Sequence, residues 1–328
     1  MLDALKFVKG SVSKDNKLKP ELNHFRIERG RISGLNETFM LSAPIATDVE
    51  ATPKGADFAK AVERCKSTVT LYNDAGKLVV KSGRLTVRID CTTEPFPALQ
   101  PEGHSFWIAP HFVDMCKKLI PFITKDNTRA WARGALLSSM EGLGAVLTAT
   151  DNVALVQAYL GPEYVPPLNC VIPEPTLREL VRIGECPKYA TVSPRSITFV
   201  YEGDRWLCSV LLPNDWPSLT KFFGQCDLYK DVTPEFWEAI ESVMPFTDDN
   251  DTILFDPGCI RTSVDLKSGA SIEGEFPSSK GAVSGKYLTK IRPLVTQIAF
   301  DEWPKPMHFR GDYIRGVFAG MVRAGVND

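Results

Sequence analysis

No stretch of this 328-residue chain approaches the roughly 20 consecutive apolar residues that a membrane span needs. Its opening, MLDALKFVKGSVSKD, meets charge at Asp3 and Lys6 before an apolar run can build. The expectation is a soluble, cytoplasmic chain without an export signal and without membrane partners. The eight cysteines (Cys65, Cys91, Cys116, Cys170, Cys186, Cys208, Cys226 and Cys259) include no C-x-x-C pair, and the four histidines are isolated from one another. That spacing lacks the usual zinc patterns and points to reduced, mostly buried thiols, with no metal and no cofactor expected. An excess of positive charge is missing too, since 38 Lys and Arg stand against 40 Asp and Glu. A uniformly basic nucleic-acid binder is thereby excluded, whereas a basic face within an acidic whole is not. With 44% hydrophobic and 24% charged residues the composition is globular, and the length suits two or three domains.

Catalytic signatures are also wanting. Neither H-E-x-x-H nor G-x-S-x-G occurs. Gly281 to Tyr287 (GAVSGKY) imitates a P-loop but spaces its glycines one residue short and puts Tyr287 where a Ser or Thr must reach magnesium. Gly142-Leu143-Gly144 lacks the third glycine of a dinucleotide fingerprint and suits a hairpin turn. Asp248 to Asp251 (DDND) lacks the glycine and terminal Glu of a calcium loop. A non-enzymatic protein is expected. The reading held against it is a metal-dependent enzyme acting on nucleic acid through the acidic cluster Asp248, Asp249, Asp251 and Asp256.

What the chain does have is a pattern that recurs three times. Leu2, Leu5 and Val8 fall at helical spacing, as do Phe112, Met115, Leu119 and Ile120, and again Phe236, Ile240, Val243 and Met244. A second amphipathic helix follows in each third, at Phe58, Ala61, Val62 and Cys65, at Leu177, Leu180 and Val181, and at Tyr287, Leu288, Ile291 and Leu294. Strands come next: 68–72, 78–81 and 85–89; then 190–192, 197–200 and 206–212; then 298–300, 307–310 and 314–322. Asp74-Ala75-Gly76, Glu202-Gly203-Asp204 and Gly311-Asp312 supply turns between them. Linkers are read at 92–104, which carries three prolines, and at 221–230. The expected architecture is α+β: three similar domains, 1–103, 104–224 and 225–328, each an antiparallel sheet covered on one face by two helices.

Four segments carry a family resemblance. Val80 to Pro97 (VKSGRLTVRIDCTTEPFP) and Leu147 to Leu155 (LTATDNVAL) resemble first-domain and second-domain segments of the bacterial β sliding clamps, subunits of DNA polymerase III. Leu212 to Phe223 (LPNDWPSLTKFF) is similar to the end of that family's second domain, and Val317 to Arg323 (VFAGMVR) to its C-terminal strand. The resemblance implies a homodimer joined head to tail into a ring, sheets outside and helices inside. It also implies sequence-independent hold on double-stranded DNA, and docking of DNA polymerase and the clamp loader through short linear peptides. A monomeric clamp-fold interaction module is the other alternative. The chain is shorter than typical members, which suggests a divergent, phage-encoded form.

A ring holds DNA by topology, so its lining needs only weak phosphate attraction. The expected contributors are Lys6, Lys9, Lys14 and Lys17, then Lys60 and Arg64, then Lys117, Lys118, Lys125 and Arg129, then Arg178 and Arg182, then Lys286 and Lys290, with Lys66 and Arg292 nearby. Glu235, Glu238 and Glu241 make the fifth helix the exception. By resemblance Arg129 matches a DNA-contacting arginine and Trp131 an aromatic near the DNA; a core tryptophan is the competing reading. The docking pocket implied by the family comprises Ala132, Thr150, Asn152, Val153, Ala154, Leu155, Pro217, Lys221, Phe222, Val317, Ala319, Gly320 and Met321. Asn152-Val153-Ala154 replaces the family's G-H-R, and Ala319-Gly320 its M-P, so a different peptide preference is expected.

Overall fold

A computed structural model describes the chain except residues 14, 96–98, 127, 219, 225–227, 265–267, 277–280, 300–305 and 322–328. Six α-helices fall where the apolar spacing puts them: α1 Leu2–Val8, α2 Gly55–Glu63, α3 Phe112–Leu119, α4 Glu174–Ile183, α5 Pro234–Val243 and α6 Gly285–Ile291. Their ends follow from local chemistry. Thr233 caps α5, its hydroxyl accepting from the Phe236 N–H at 3.4 Å, with Pro234 in the first turn where no donor is lost. Gly184 ends α4 in the left-handed conformation at φ 74°, which a Cβ would disfavour.

The threefold pattern is real in the order of elements. After α1 come strands Phe25–Glu28, Arg31–Leu35 and Phe39–Pro44; after α2 come Thr70–Asp74, Lys77–Ser82 and Leu85–Asp90. After α3 come Gly134–Met140, Gly144–Thr150 and Ala154–Gly161; after α4 come Tyr189–Val192, Ser196–Tyr201 and Arg205–Val210. After α5 come Thr252–Asp256, Cys259–Arg261 and Ser271–Glu273, and after α6 Gln297–Ala299, Met307–Gly311 and Ile314–Phe318. The last strand stops four residues short of the expected end, and Phe300 and Val322 lie outside the described residues. Gly142-Leu143-Gly144 does turn a hairpin, between Gly134–Met140 and Gly144–Thr150.

Sheet pairing crosses the repeats, and this sequence periodicity does not reveal. Phe39–Pro44 of the first repeat pairs with Arg205–Val210 of the second, Leu41 opposite Leu207. Ala154–Gly161 of the second pairs with Ile314–Phe318 of the third, Leu155 opposite Val317. In both junctions the third strand after a repeat's first helix meets the last strand of the next repeat. The chain accordingly divides into two compact units, Met1–Cys116 with Pro162–Pro213, and Lys117–Gly161 with Asn214–Asp328.

In the first unit a seven-stranded antiparallel sheet runs from Phe25–Glu28 to His104–Trp107, beside a three-stranded meander of 70–90. In the second, Gly134–Met140, Gly144–Thr150, Ala154–Gly161, Ile314–Phe318, Met307–Gly311, Gln297–Ala299 and Lys230–Asp231 lie side by side, with a four-stranded sheet of 252–284. Helices seat phenylalanines in these cores: Phe58 of α2 meets Phe25 with ring centroids 6.1 Å apart, Phe112 of α3 meets Phe199 at 5.7 Å, and Phe236 of α5 stacks on Phe255 at 6.0 Å. All six rings are fully buried, each worth about 1.5–3 kcal/mol of transfer free energy. The thiols are less buried than expected: among the described residues Cys116, Cys170 and Cys208 are buried while Cys65, Cys91 and Cys259 are half-buried, and burial pushes Cys170 up to about 12. Cys186 is exposed, and Cys226 lies outside the described residues.

Within the first unit, α1 and α4 meet through one arginine. Arg182 donates from Nη1 to the Lys6 carbonyl at 3.0 Å and from Nη2 to the Phe7 carbonyl at 2.7 Å, satisfying groups that the end of α1 leaves open. The same guanidinium pairs at 2.6 Å with the buried carboxylate of Glu179. Gly10 makes room, since a Cβ there would stand 2.2 Å from Glu179 Oε1. Arg182→Ala is expected to lower stability by about 2 kcal/mol, less than a fully buried pair because Arg182 is partly exposed, read as a lower midpoint in urea. An unchanged midpoint contradicts that role.

Candidate functional site

In the second unit, the pairing of Ala154–Gly161 with Ile314–Phe318 leaves an apolar cavity of about 230 Å³ at one end of the sheet. Thr150, Asn152, Val153, Ala154, Leu155, Phe222, Val317 and Ala319 line it, all expected from the sequence. Leu155 and Val317 form a buried floor, whereas Val153 and Phe222 are each 39% exposed at the mouth.

The wall made by 150–155 is shaped by Asp151. Its Oδ1 accepts from the Val153 and Ala154 N–H groups at 3.2 and 2.9 Å. Its Oδ2 takes the Lys290 ammonium and the Tyr287 hydroxyl, the latter at 3.1 Å, both from α6. Burial and the neighbouring carboxylate hold the Tyr287 hydroxyl above its ordinary range, so it stays a donor. Asn152 adopts φ 74°, a left-handed conformation that asparagine tolerates better than most residues. Arg129 Nη1 donates to Asn152 Oδ1 at 2.5 Å and closes the rim.

Four lining residues were not assigned to the pocket from sequence: Arg129, Trp131, Pro306 and Phe318. Arg129 and Trp131, expected near DNA by resemblance, also line this cavity, Trp131 packing edge-on against Trp216 at 4.9 Å. Their position beside the expected Ala132 was the available signal; Ala132 itself is wholly buried behind the wall. Pro217, Lys221 and Gly320 are not among the lining residues, and Lys221 sits over the Phe222 ring at 5.4 Å. Met321 packs instead on Leu254 and Ala282, its N–H donating to the Ala282 carbonyl at 2.8 Å. The Ala319 N–H still donates to the Val153 carbonyl at 2.9 Å, and two residues on the chain is bonded to the four-stranded sheet.

The expected DNA-facing cations fall into two groups. Lys6, Lys9, Lys17, Lys60, Arg64, Lys66, Lys117, Lys125, Arg129 and Lys286 have exposed side chains; Lys118 is half-buried; Lys14 lies outside the described residues. Some are matched locally: Lys6 with Asp3 at 3.7 Å, Arg178 with Glu174 at 2.6 Å, Arg182 with Glu179, Arg292 with Glu241, and Lys290 with Asp151 while covering the Phe122 and Tyr287 rings. Lys290 thus helps to organise the pocket wall.

The acidic stretch does not gather. Asp248 Oδ1 accepts from the Thr252 N–H at 2.9 Å, and Asp256 pairs with Arg261 at 2.6 Å. Among the described residues no three His, Cys, Asp or Glu side chains come together in a group suited to a metal ion.

No family model matches this sequence, and no curated protein matches it. Solved structures do, each over 98% of this chain and 97% of its own. A C. crescentus β sliding clamp superposes with TM-score 0.82 at 17% identity. The DNA polymerase III β subunit of Thermotoga maritima gives 0.81 at 16%. A Helicobacter pylori β clamp bound to a DNA ligase peptide gives 0.78 at 16%. The chain therefore has, along essentially its whole length, the α+β fold of the DNA polymerase III β sliding clamps.

Proposed function

We propose that the chain is a DNA sliding clamp, a non-enzymatic processivity factor of cytoplasmic DNA replication. Two copies close head to tail around duplex DNA, and polymerase and clamp loader dock through short peptides in the cavity beside Leu155. The repeats correspond to clamp domains 1–103, 104–224 and 225–328.

One observation carries this reading. Three repeats can form three junctions of the kind described, and the chain supplies two. The third needs the last strand of repeat one, Leu85–Asp90, and the third strand of repeat three, Ser271–Glu273. Both are edge strands, one of the three-stranded sheet and one of the four-stranded sheet. Exposed edges are templates for pairing, and a copy offering both ends builds a heterologous contact that closes when the rotation suits a ring. The pocket supports the second half of the proposal, because a likeness exists in which a β clamp holds a DNA ligase peptide. A shallow groove of this kind suits micromolar binding, about −8 kcal/mol.

Phosphate attraction then comes from the exposed cations, Lys60 and Lys117 among them. Lys60→Glu with Lys117→Glu is expected to shorten retention on circular DNA several-fold at low salt, with less effect at high salt. Retention equal to the parent protein at both salts contradicts the assigned face. Lys290→Glu is predicted to leave retention on bare DNA less affected, since its charge is already committed to Asp151.

A further inference from the structure

A second cavity, of about 280 Å³, lies on the same sheet face as the first. Side chains alternate along a strand, so Leu155, Gln157 and Tyr159 share a face, together with their cross-strand partners Val317 and Arg315 on one side and Thr150, Thr148 and Val146 on the other. Thr150, Leu155 and Val317 line the first cavity; Val146, Gln157, Tyr159 and Arg315 line the second. Phe222 borders the first, and the adjacent Phe223 lies 4.6 Å from the Arg315 guanidinium.

The second cavity holds an uncompensated charge pair. Arg310 stands directly opposite Arg315 across the strands Met307–Gly311 and Ile314–Phe318, and both line the cavity. Like charges directly opposite one another in a sheet destabilise it. Neither pairs with a carboxylate among the described residues: Arg315 donates to Gln157 Oε1 at 2.9 and 2.7 Å, and Arg310 donates to Gln297 and lies 4.3 Å over the Tyr229 ring. Burial disfavours the charged form of Arg315, so this guanidinium is held partly out of water with only neutral partners.

We infer that the second cavity is an acid-binding subsite of the docking groove, taking the carboxylate of an Asp or Glu about four residues from the apolar anchor of a docked peptide. The inference rests on the docking reading of the first cavity. From Leu155 to Tyr159 is four strand residues, about 13 Å, which an extended peptide covers in the same number of residues. A carboxylate there meets two guanidinium groups and relieves their repulsion. The shared sheet face and the Phe222-Phe223 wall favour a peptide side chain over a separate small anion.

The test titrates capped ten-residue peptides carrying a central Leu-Phe anchor, flanked four residues away on both sides by Glu or by Gln. The parent protein is expected to bind the Glu peptide about tenfold more tightly at low salt, and both Arg310→Gln and Arg315→Gln to erase that preference, so that Glu and Gln peptides bind each variant alike. Equal affinities on the parent protein, or a preference surviving in both variants, overturns the subsite alone. Failure of both peptides to bind overturns the docking reading and the subsite with it. Arg310 is exposed, so its variant keeps the comparison informative if Arg315→Gln unfolds.

Discussion

A proline at whichever of Thr86 and Val87 points its N–H outward is expected to turn the proposed dimer into a species of 36.3 kDa. Backbone N–H groups alternate sides along a strand, so one of these adjacent residues points its donor at the open edge of Leu85–Asp90 and the other at Lys77–Ser82. Proline at the outward position removes an intermolecular bond and adds a ring where the second copy must lie, while the meander keeps its own ladder. The lost bond alone costs about 1–3 kcal/mol, roughly a tenfold to hundredfold loss in dimer affinity, before the steric clash. Proline at the inward position instead lowers thermal stability. Sedimentation reads the first effect and a melting curve the second. If both variants sediment as the parent does, the third junction is not where the proposal puts it.

The second large effect concerns the pocket. Phe222→Asp combined with Val153→Asp is expected to weaken a polymerase-tail peptide at least a hundredfold while moving the melting temperature little. Both side chains stand at the mouth, 39% exposed, so charge there costs the fold little but must be desolvated by an arriving apolar anchor. Leu155 and Val317, at 5% and 4% exposure, are poorer targets, because an aspartate on the floor damages the sheet first. Met321→Asp should likewise report on packing against Leu254 and Ala282 and not on docking. Unchanged peptide titrations for the double variant would remove the pocket from the account.

Much of this architecture was legible in the residues. Apolar periodicities placed all six helices, because each must turn a continuous stripe toward a sheet, and Asp74-Ala75-Gly76 and Glu202-Gly203-Asp204 marked turns by backbone preference alone. Strand pairing between repeats was not legible. Alternation says which face of Phe39–Pro44 is buried, but not that Leu41 lies opposite Leu207. The pocket was read in its local part, 150–155, where neighbours in sequence are neighbours in space. It is not legible where partners come from afar. Lys290 lies against Asp151, Trp131 packs edge-on with Trp216, and Met321 packs on Leu254 and Ala282, contacts that join residues far apart in the chain. The Arg310–Arg315 opposition depends on a two-residue turn whose register the sequence suggests but does not state.

The most direct measurement loads the protein on a nicked circular plasmid, gel-filters it, then linearises half the sample with a restriction enzyme. A clamp that holds by enclosure stays with the circle and is lost from the linear DNA within the same interval, even in salt that abolishes ordinary phosphate binding. Equal loss from both forms, or equal retention on both, would mean that the chain grips DNA or ignores it, and the enclosing dimer would have to be abandoned.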